Sequence, residues 1–584
     1  MSPFRYLLAT PVHRDADLPA VSLSDEDFIC VHRSQSFVLY TNRVSGWRHN
    51  DAIDEFTLGD IFPRNTGAAA GAHASVMPGS WSCYLTNFWG SYIAVDINNG
   101  IHVLRDPSGT LPCFYCSVGG LLLMASDLDL LLATGLVQPT IDWTNLALLL
   151  YVSDLPIERT ALSGIHELLP GAALDFVGGL VGTRMGWSPW DHVNRGCPDP
   201  SDLRSVILST VETWATLYPS NIVGVSGGLD SSIVANCLHE SAASTTAITI
   251  STDDRYGDEA EFAEDLCSRI GLPLIRSRYL LDAVDIDRSS VAHLPRPGGR
   301  AQLQAFERAL TDAAGSTQAS AFFSGVGGDN VFYFTHSARP LVDRYLSDGI
   351  GRGAFSTLQD ISRLTDSSWV DVLRVASNAG WKRGANYRWR PDPRFLAREI
   401  LSHLETFPLL HPWLDAPANA LPGKAAHIAM LVRAQRYVDG YDRQLPWTAV
   451  FPLLSQPVVE LCLRIPSWRC CEEGRDRSFA REAFSADLPP AVVDRHTKGG
   501  PDGFAYQIIR HYLPDIRERL LDGLLAAHGI IDRHSLDQAF SDQALQRGTD
   551  YVRLLLLLDA EAWARHWSGL SAAASTCERR ATGV

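Results

Sequence analysis

The sequence predicts a two-domain protein, α+β at its amino end and α/β beyond: an antiparallel β-rich domain, then a parallel sheet with helices on both faces. Three observations lead there. Over the first ~175 residues, short apolar and aromatic runs are broken by Gly, Pro, Asn and Asp, the pattern of antiparallel strands joined by tight turns. From Ile222 onward, strand-length apolar runs alternate with helix-period segments, and strands linked through helices pair in parallel. At 584 residues the chain also exceeds the size at which one core keeps growing.

In the first domain the predicted strands are Phe37-Val38-Leu39-Tyr40, Ser91 to Val95, Ile101 to Leu104 and Leu121 to Met124. Asp96, Asn98, Asn99 and Gly100 between the second and third give a hairpin signal. The Gly-, Pro- and Trp-rich stretch from Gly178 to Pro200 reads as a linker. Strand Ile222 to Val225 then leads into a helix from Ser232, followed by strand Ala247 to Ile250. A helix carries Phe262, Leu266 and Ile270 at i, i+4 and i+8, and Pro273 to Ile275 and Ala321 to Phe323 supply further strands. From about residue 340 the composition is helical, ending with Tyr551 to Trp567 and a Ser/Ala-rich tail. The expected boundaries are 1–185, 200–570 and a flexible tail over 571–584.

Composition narrows the function classes. Apolar residues make up 46% and charged residues 20%, as in a folded globular protein. Fifty Lys and Arg against 66 Asp and Glu give a net charge of −16, which speaks against a nucleic-acid partner and for a peptide or small molecule. No basic-then-apolar opening and no long apolar run is visible, so neither a signal peptide nor a membrane span is expected. Eleven scattered cysteines suit reduced thiols and a cytoplasmic location, and the Cys113/Cys116 pair has no second pair at zinc spacing. Lysine occurs only at Lys382, Lys424 and Lys498. A lysine kept in so arginine-rich a chain points to a need for its compact charge or flexible stem.

The chemistry concentrates in two glycine turns. Ser226-Gly227-Gly228-Leu229-Asp230-Ser231-Ser232 follows a strand and opens a helix, so its glycines let backbone approach an anion and its hydroxyls add donors at an electropositive helix start. It has neither the Lys-Ser/Thr ending of a Walker loop nor the third glycine of a dinucleotide fingerprint. Ser324-Gly325-Val326-Gly327-Gly328-Asp329-Asn330 follows the Ala321 strand in the same way. On one parallel sheet the two turns would bring Asp230 and Asp329 together, and carboxylates beside polyphosphate serve to hold Mg²⁺.

The first turn resembles the pyrophosphate loop of N-type ATP pyrophosphatases, and the carboxyl-terminal half is similar to the synthetase domain of the asparagine synthetase family. The resemblance extends to Tyr256-Gly257-Asp258-Glu259, Phe451-Pro452-Leu453-Leu454-Ser455, Val459-Glu460, Arg477, Arg481 and Lys498. The amino-terminal half resembles that family's partner domain through Arg105-Asp106-Pro107-Ser108-Gly109, Pro112, Tyr115, Arg159-Thr160, Gly164-Ile165 and Leu168-Leu169-Pro170-Gly171. The implied folds are an Ntn-hydrolase-like, glutaminase-like first domain and an adenine-nucleotide α-hydrolase-like second one. The implied reaction is AMP-forming amide synthesis with ATP and Mg²⁺.

Two departures sort the members. Glutamine-hydrolysing members carry a cysteine after the initiator methionine, whereas this chain reads Met1-Ser2-Pro3, so the first domain is expected to lack its nucleophile. At Val326 asparagine synthetases carry glutamate and β-lactam synthetases tyrosine, and valine moves no proton. The chain is most similar to lasso-peptide cyclases, through Gly327-Gly328-Asp329-Asn330-Val331-Phe332, Leu453-Leu454-Ser455-Gln456-Pro457, Leu463-Arg464-Ile465-Pro466 and Lys498-Gly499-Gly500. β-Lactam synthesis and ammonia-dependent asparagine synthesis are the alternatives. The resemblance implies a precursor peptide, a leader-binding protein and a leader protease. It also implies that Ser226 to Ser232, Ser251, Ser324 and Gly325 contact ATP, that Asp230 and Asp329 hold metal, and that Lys498 and Arg477 act on the phosphates. Asp439, Tyr441 and Asp442 are candidates for taking the amine's proton, and the basic loop His293 to Arg300 reads as a solvated loop near the active face.

Overall fold

The computed structural model describes residues 3–582 except 13–20, 22, 24–26, 51–54, 65–80, 98–99, 178–179, 194, 253–258, 382–385, 496–498 and 542–549. The amino-terminal domain is two six-stranded antiparallel sheets. One runs in the order His166–Glu167, Phe114–Val118, Leu121–Ala125, Tyr6–Pro11, Val38–Thr41, Ile29–Arg33; the other Leu180–Met185, Ala172–Val177, Ile101–Arg105, Phe88–Asp96, Glu55–Pro63, Trp47–Asn50. The hairpin expected at Asp96 to Gly100 is present, with Asp96 opposite His102. Side chains at alternate positions from both sheets meet between them. Leu8, Leu39 and Leu122 of the first sheet share a buried cluster with Leu58, Ile93, Val103 and Leu174 of the second, and Phe37 stacks on Phe56 with ring centroids 4.8 Å apart. Each such burial removes an aliphatic side chain from water, worth about 1.5–3 kcal/mol.

The stretch expected as a linker belongs to the folded body instead. Leu180–Met185 is a strand of the second sheet, and Trp187 and Trp190 reach the other domain through hydrogen bonds to Glu460 (3.0 Å) and the Trp413 carbonyl (2.9 Å). A tryptophan- and proline-rich turn buries well once a partner surface exists, which composition alone does not reveal.

The carboxyl-terminal domain is built on a five-stranded sheet, parallel throughout, in the order Leu274–Arg278, Ser244–Ser251, Ser220–Gly224, Ala321–Phe323, Thr448–Val450. Neighbouring residues of its central strand face opposite ways. Ile222 packs with Leu310, Phe322 and Trp447, whereas Val223 joins the main core with Leu229 and Ile233, so helices Gln302–Thr317 and Leu229–Glu240 cover opposite faces. The helix expected from Phe262, Leu266 and Ile270 is Ala260–Ile270, ended by Gly271 in the left-handed region. The last helix, Tyr551–Thr582, takes in most of the expected tail.

The His293 to Arg300 loop is docked on protein, contrary to its solvated reading. Asp559 of the last helix accepts from Ser289, Ser290 and the Gly299 backbone, His293 Nε2 lies 3.1 Å from the Asp439 carbonyl, and the Pro295 carbonyl accepts from Ala161 of the first domain. Arg296 is buried and paired with Asp439. Arg296 serves internal acids, whereas Arg300 lies on the Tyr437 ring.

Candidate active site

The two glycine turns leave adjacent parallel strands at their carboxyl ends and press against each other. Gly227 has φ +66°, a left-handed conformation, and a Cβ there would lie 2.2 Å from Phe262 Cβ. Within the first turn Ser226 N donates to Ser231 Oγ (3.2 Å), Gly228 N to Ser226 Oγ (3.4 Å), and Ser231 Oγ to the Gly228 carbonyl (3.2 Å). Helix Leu229–Glu240 begins at once, so its first backbone donors belong to the turn. Ser232 is buried and its hydroxyl has no partner among the described residues.

The second turn leaves from Ser324, whose backbone donates to the Val450 carbonyl (3.0 Å), and its hydroxyl accepts from Val326 N (3.2 Å). A Cβ on Gly325 would meet Ser231 N at 2.6 Å, and one on Gly328 would meet Asp230 Cγ at 2.3 Å. Glycine is required at both positions because the second turn lies directly on the Asp230–Ser231 backbone. Ser251 ends the neighbouring strand, its carbonyl accepting from Tyr279 N at 3.1 Å.

Arg477 joins the turns. Its Nη1 donates to both oxygens of Asp230 (3.1 and 3.0 Å) and to Asp329 Oδ1 (2.6 Å), so one cationic nitrogen serves two carboxylates brought from 99 positions apart in sequence. Its Nε donates to Asp476 (2.7 Å), which also accepts from Arg481 (3.0 Å), and the guanidinium carbon sits 4.9 Å from the Phe334 ring centroid. Burial opposes charging at Arg477, but Asp230, Asp329 and Asp476 outweigh it and raise its pKa. For Asp476 burial likewise opposes charging, and Arg477 and Arg481 prevail to hold its carboxyl below the usual range. Arg477 itself takes a left-handed backbone, φ +49°, at the start of helix Ser478–Ala483, an uncommon conformation for a side-chain-bearing residue.

Lys498 and residues 256–258 lie outside the described residues, but their flanks do not. Arg495 donates to the Ser226 carbonyl (3.4 Å) and to Glu259 (2.6 Å), with its guanidinium 4.0 Å from the Phe262 ring centroid, and Gly499 N donates to the same Glu259 oxygen (2.9 Å). Both sides of the Lys498 loop are therefore fastened beside the first glycine turn. Arg481 reinforces them through the Val492, Val493 and Arg495 carbonyls. Lys424 has a different place: it is buried, burial lowers its pKa, and its ammonium caps the Leu463 and Ile465 carbonyls at the end of helix Gln456–Arg464.

The residues considered for proton transfer are not gathered at the carboxylate pair. Asp439 is committed to Arg296, and Tyr441 is packed among Phe322, Trp447 and Phe451, where burial pushes its phenol up. Tyr441 and Asp442 line a cavity of about 50 Å³ between the domains, with Ser108, Trp214 and Arg443. Glu460, one of the matched residues, is an interdomain anchor that receives Arg64 (2.6 and 2.9 Å) and Trp187. Cys113 and Cys116 are buried and unpaired, and burial pushes both thiols up to about 11. Val326 is 38% exposed on the second turn.

A parallel sheet with glycine turns at two adjacent strand ends, where ligands of such sheets bind, defines the domain as α/β. The chain belongs to the asparagine synthase family, whose model matches residues 223–565. That places it among ATP-dependent amide-forming ligases. No curated protein matches the chain. Among solved structures, one described as the allosteric regulatory enzyme of purine biosynthesis is 10% identical, covers 47% of this chain and 74% of its own, and has a TM-score of 0.20. A glutamine phosphoribosylpyrophosphate amidotransferase from B. subtilis complexed with ADP and GMP is 9% identical, covers 47% and 59%, and has a TM-score of 0.18. No helix among the described residues is long and apolar enough to cross a membrane.

Proposed function

We propose that this chain is an ATP-dependent macrolactam cyclase of the lasso-peptide kind. It adenylates an Asp or Glu side chain of a precursor peptide, releases pyrophosphate, and directs the peptide's own N-terminal amine onto the acyl carbon with loss of AMP. The observation that carries the reading is the Asp230–Arg477–Asp329 junction where the two glycine turns meet. The donor set suits a triphosphate with magnesium: backbone and hydroxyl donors on one turn, two carboxylates addressed by a single cation, and a glycine at each close approach.

In this reading Ser226 to Ser232 cradle the phosphates, with Ser251, Ser324 and Gly325 completing the nucleotide contacts. Asp230 and Asp329 would hold Mg²⁺, which supplies charge neutralisation for the phosphate oxygens. Arg477 and Lys498 offset the charge that builds up as the α-phosphorus is attacked. The exposed Val326 offers no acid or base on the turn, in keeping with a nucleophile that arrives on the substrate itself. Holding both reacting ends of one peptide replaces a bimolecular encounter, an effect of order 10⁵ M when alignment is good. A leader-binding protein and a leader protease would supply the trimmed peptide, in the cytoplasm and without a nucleic-acid partner.

The test is incubation of the purified chain with Mg-ATP and a leader-free peptide that begins with Gly and carries an acidic residue several positions on. The expected products are AMP, pyrophosphate and a peptide lighter by one water. Formation of ADP, or nucleotide turnover without any amide product, overturns the assignment.

A further inference from the structure

In the structure Arg477 stands where a bridging metal ion would stand. A single nitrogen lies 2.6 to 3.1 Å from three oxygens of Asp230 and Asp329; Arg477 and Asp230 are buried and Asp329 is half-buried. A magnesium ion needs the same oxygens at about 2.0–2.1 Å, with near-octahedral geometry. An ion placed among these three oxygens would overlap the Arg477 nitrogen, so the guanidinium would have to move aside. Metal arriving alone would have to displace a buried guanidinium and leave it without these partners, which is strongly unfavourable. A triphosphate changes the balance, because its oxygens offer the guanidinium a replacement acceptor at least as good as a carboxylate. The Nε bond to Asp476, itself fixed by Arg481, keeps the guanidinium at the site whichever partner it holds.

We propose that Arg477 is the resident counter-ion of the Asp230–Asp329 pair in the nucleotide-free chain, so that divalent metal enters by cation exchange and only together with a triphosphate. This rests on the nucleotide-site reading above and adds an order of events to it. Metal and nucleotide binding are then positively coupled, each raising the affinity of the other by the same factor.

Mn²⁺ is the probe, with free ion followed by paramagnetic resonance and bound ion by its effect on the melting temperature. The wild-type chain should bind Mn²⁺ poorly alone and roughly tenfold or more tightly with α,β-methylene-ATP, a coupling within the usual allosteric range. Arg477→Gln should bind Mn²⁺ without nucleotide roughly tenfold more tightly than wild type, and Asp230→Asn in the same chain should remove the gain. Arg477→Lys keeps the charge without the fork that reaches Asp476 and both carboxylates, and should fall between the two while preserving the fold. Equal Mn²⁺ affinity in wild type with and without the analogue, or no gain in either Arg477 variant, overturns the exchange while leaving the nucleotide site standing. A wild-type chain that binds no analogue at all overturns the parent reading and the exchange with it.

Discussion

At the seam between the domains, Arg105, Glu167, Arg296 and Asp439 form a buried chain of charge; at the carboxyl end of the parallel sheet, buried Asp230, Asp476, Arg477 and Arg481 form another that ends on the half-buried Asp329. The seam has two guanidiniums for two carboxylates, and Arg105 also finds neutral acceptors. Arg105 donates to the carbonyls of Gly109, Leu111 and Leu168. In the sheet-edge cluster two carboxylates instead converge on one guanidinium nitrogen. Backbone acceptors have fixed positions and no alternative partner, so the first cluster holds elements together. Two carboxylates that share one guanidinium nitrogen can exchange it for another cation, so the second is suited to chemistry.

The sharpest way to break this comparison is to remove a charge from the site. Asp230→Ala and Lys498→Ala should each abolish pyrophosphate release, a loss of roughly a thousandfold or more, while the protein still folds and melts cooperatively. Coupled phosphate detection and calorimetry would show both. Next comes Gly328→Ala, whose new Cβ falls 2.3 Å from Asp230 Cγ. It should lower turnover about 10- to 100-fold by displacing that carboxylate, measured as steady-state pyrophosphate release.

At the seam the signs reverse. Arg296→Ala leaves Asp439 buried and unpaired, and should cost about 3–5 kcal/mol in urea unfolding while the folded protein keeps its nucleotide affinity. The smallest effect is the response to acid. Burial alone would raise the carboxyl pKa values of Glu460 and Asp439, but Arg64 and Arg296 hold both below their ordinary values of 4.5 and 3.8. Groups with depressed folded-state values stabilise the fold above the unfolded value and lose that contribution as pH falls through the lowered one. The urea midpoint should therefore be flat near neutrality and decline below about pH 4, less steeply in Glu460→Gln.

The sequence made the site's first half legible because each glycine turn is a local pattern, strand then turn then helix, and a parallel sheet brings such turns to one edge. Arg477 was visible only through the resemblance. Its bridge spans 247 residues to Asp230 and 148 to Asp329, and no local periodicity encodes that. Thr448–Val450 escaped because three residues carry no usable alternation, and its strand is defined by pairing with Ala321–Phe323. The His293 to Arg300 loop looked solvent-facing because its acceptors, Asp439 and Asp559, are remote in sequence. Glu460 shows the opposite case: it was readable as a matched residue, and its contacts turn out to be with the neighbouring domain.

The Pro295 carbonyl, accepting from Ala161, sits on a loop that is also fastened to Asp559 near the chain's end. One short segment thereby rivets the first domain, the middle of the second and the terminal helix. A split gene that delivers the halves as separate polypeptides would have to reassemble this rivet before either fragment was fully packed, so the carboxyl-terminal half is poorly suited to use as a stand-alone cassette.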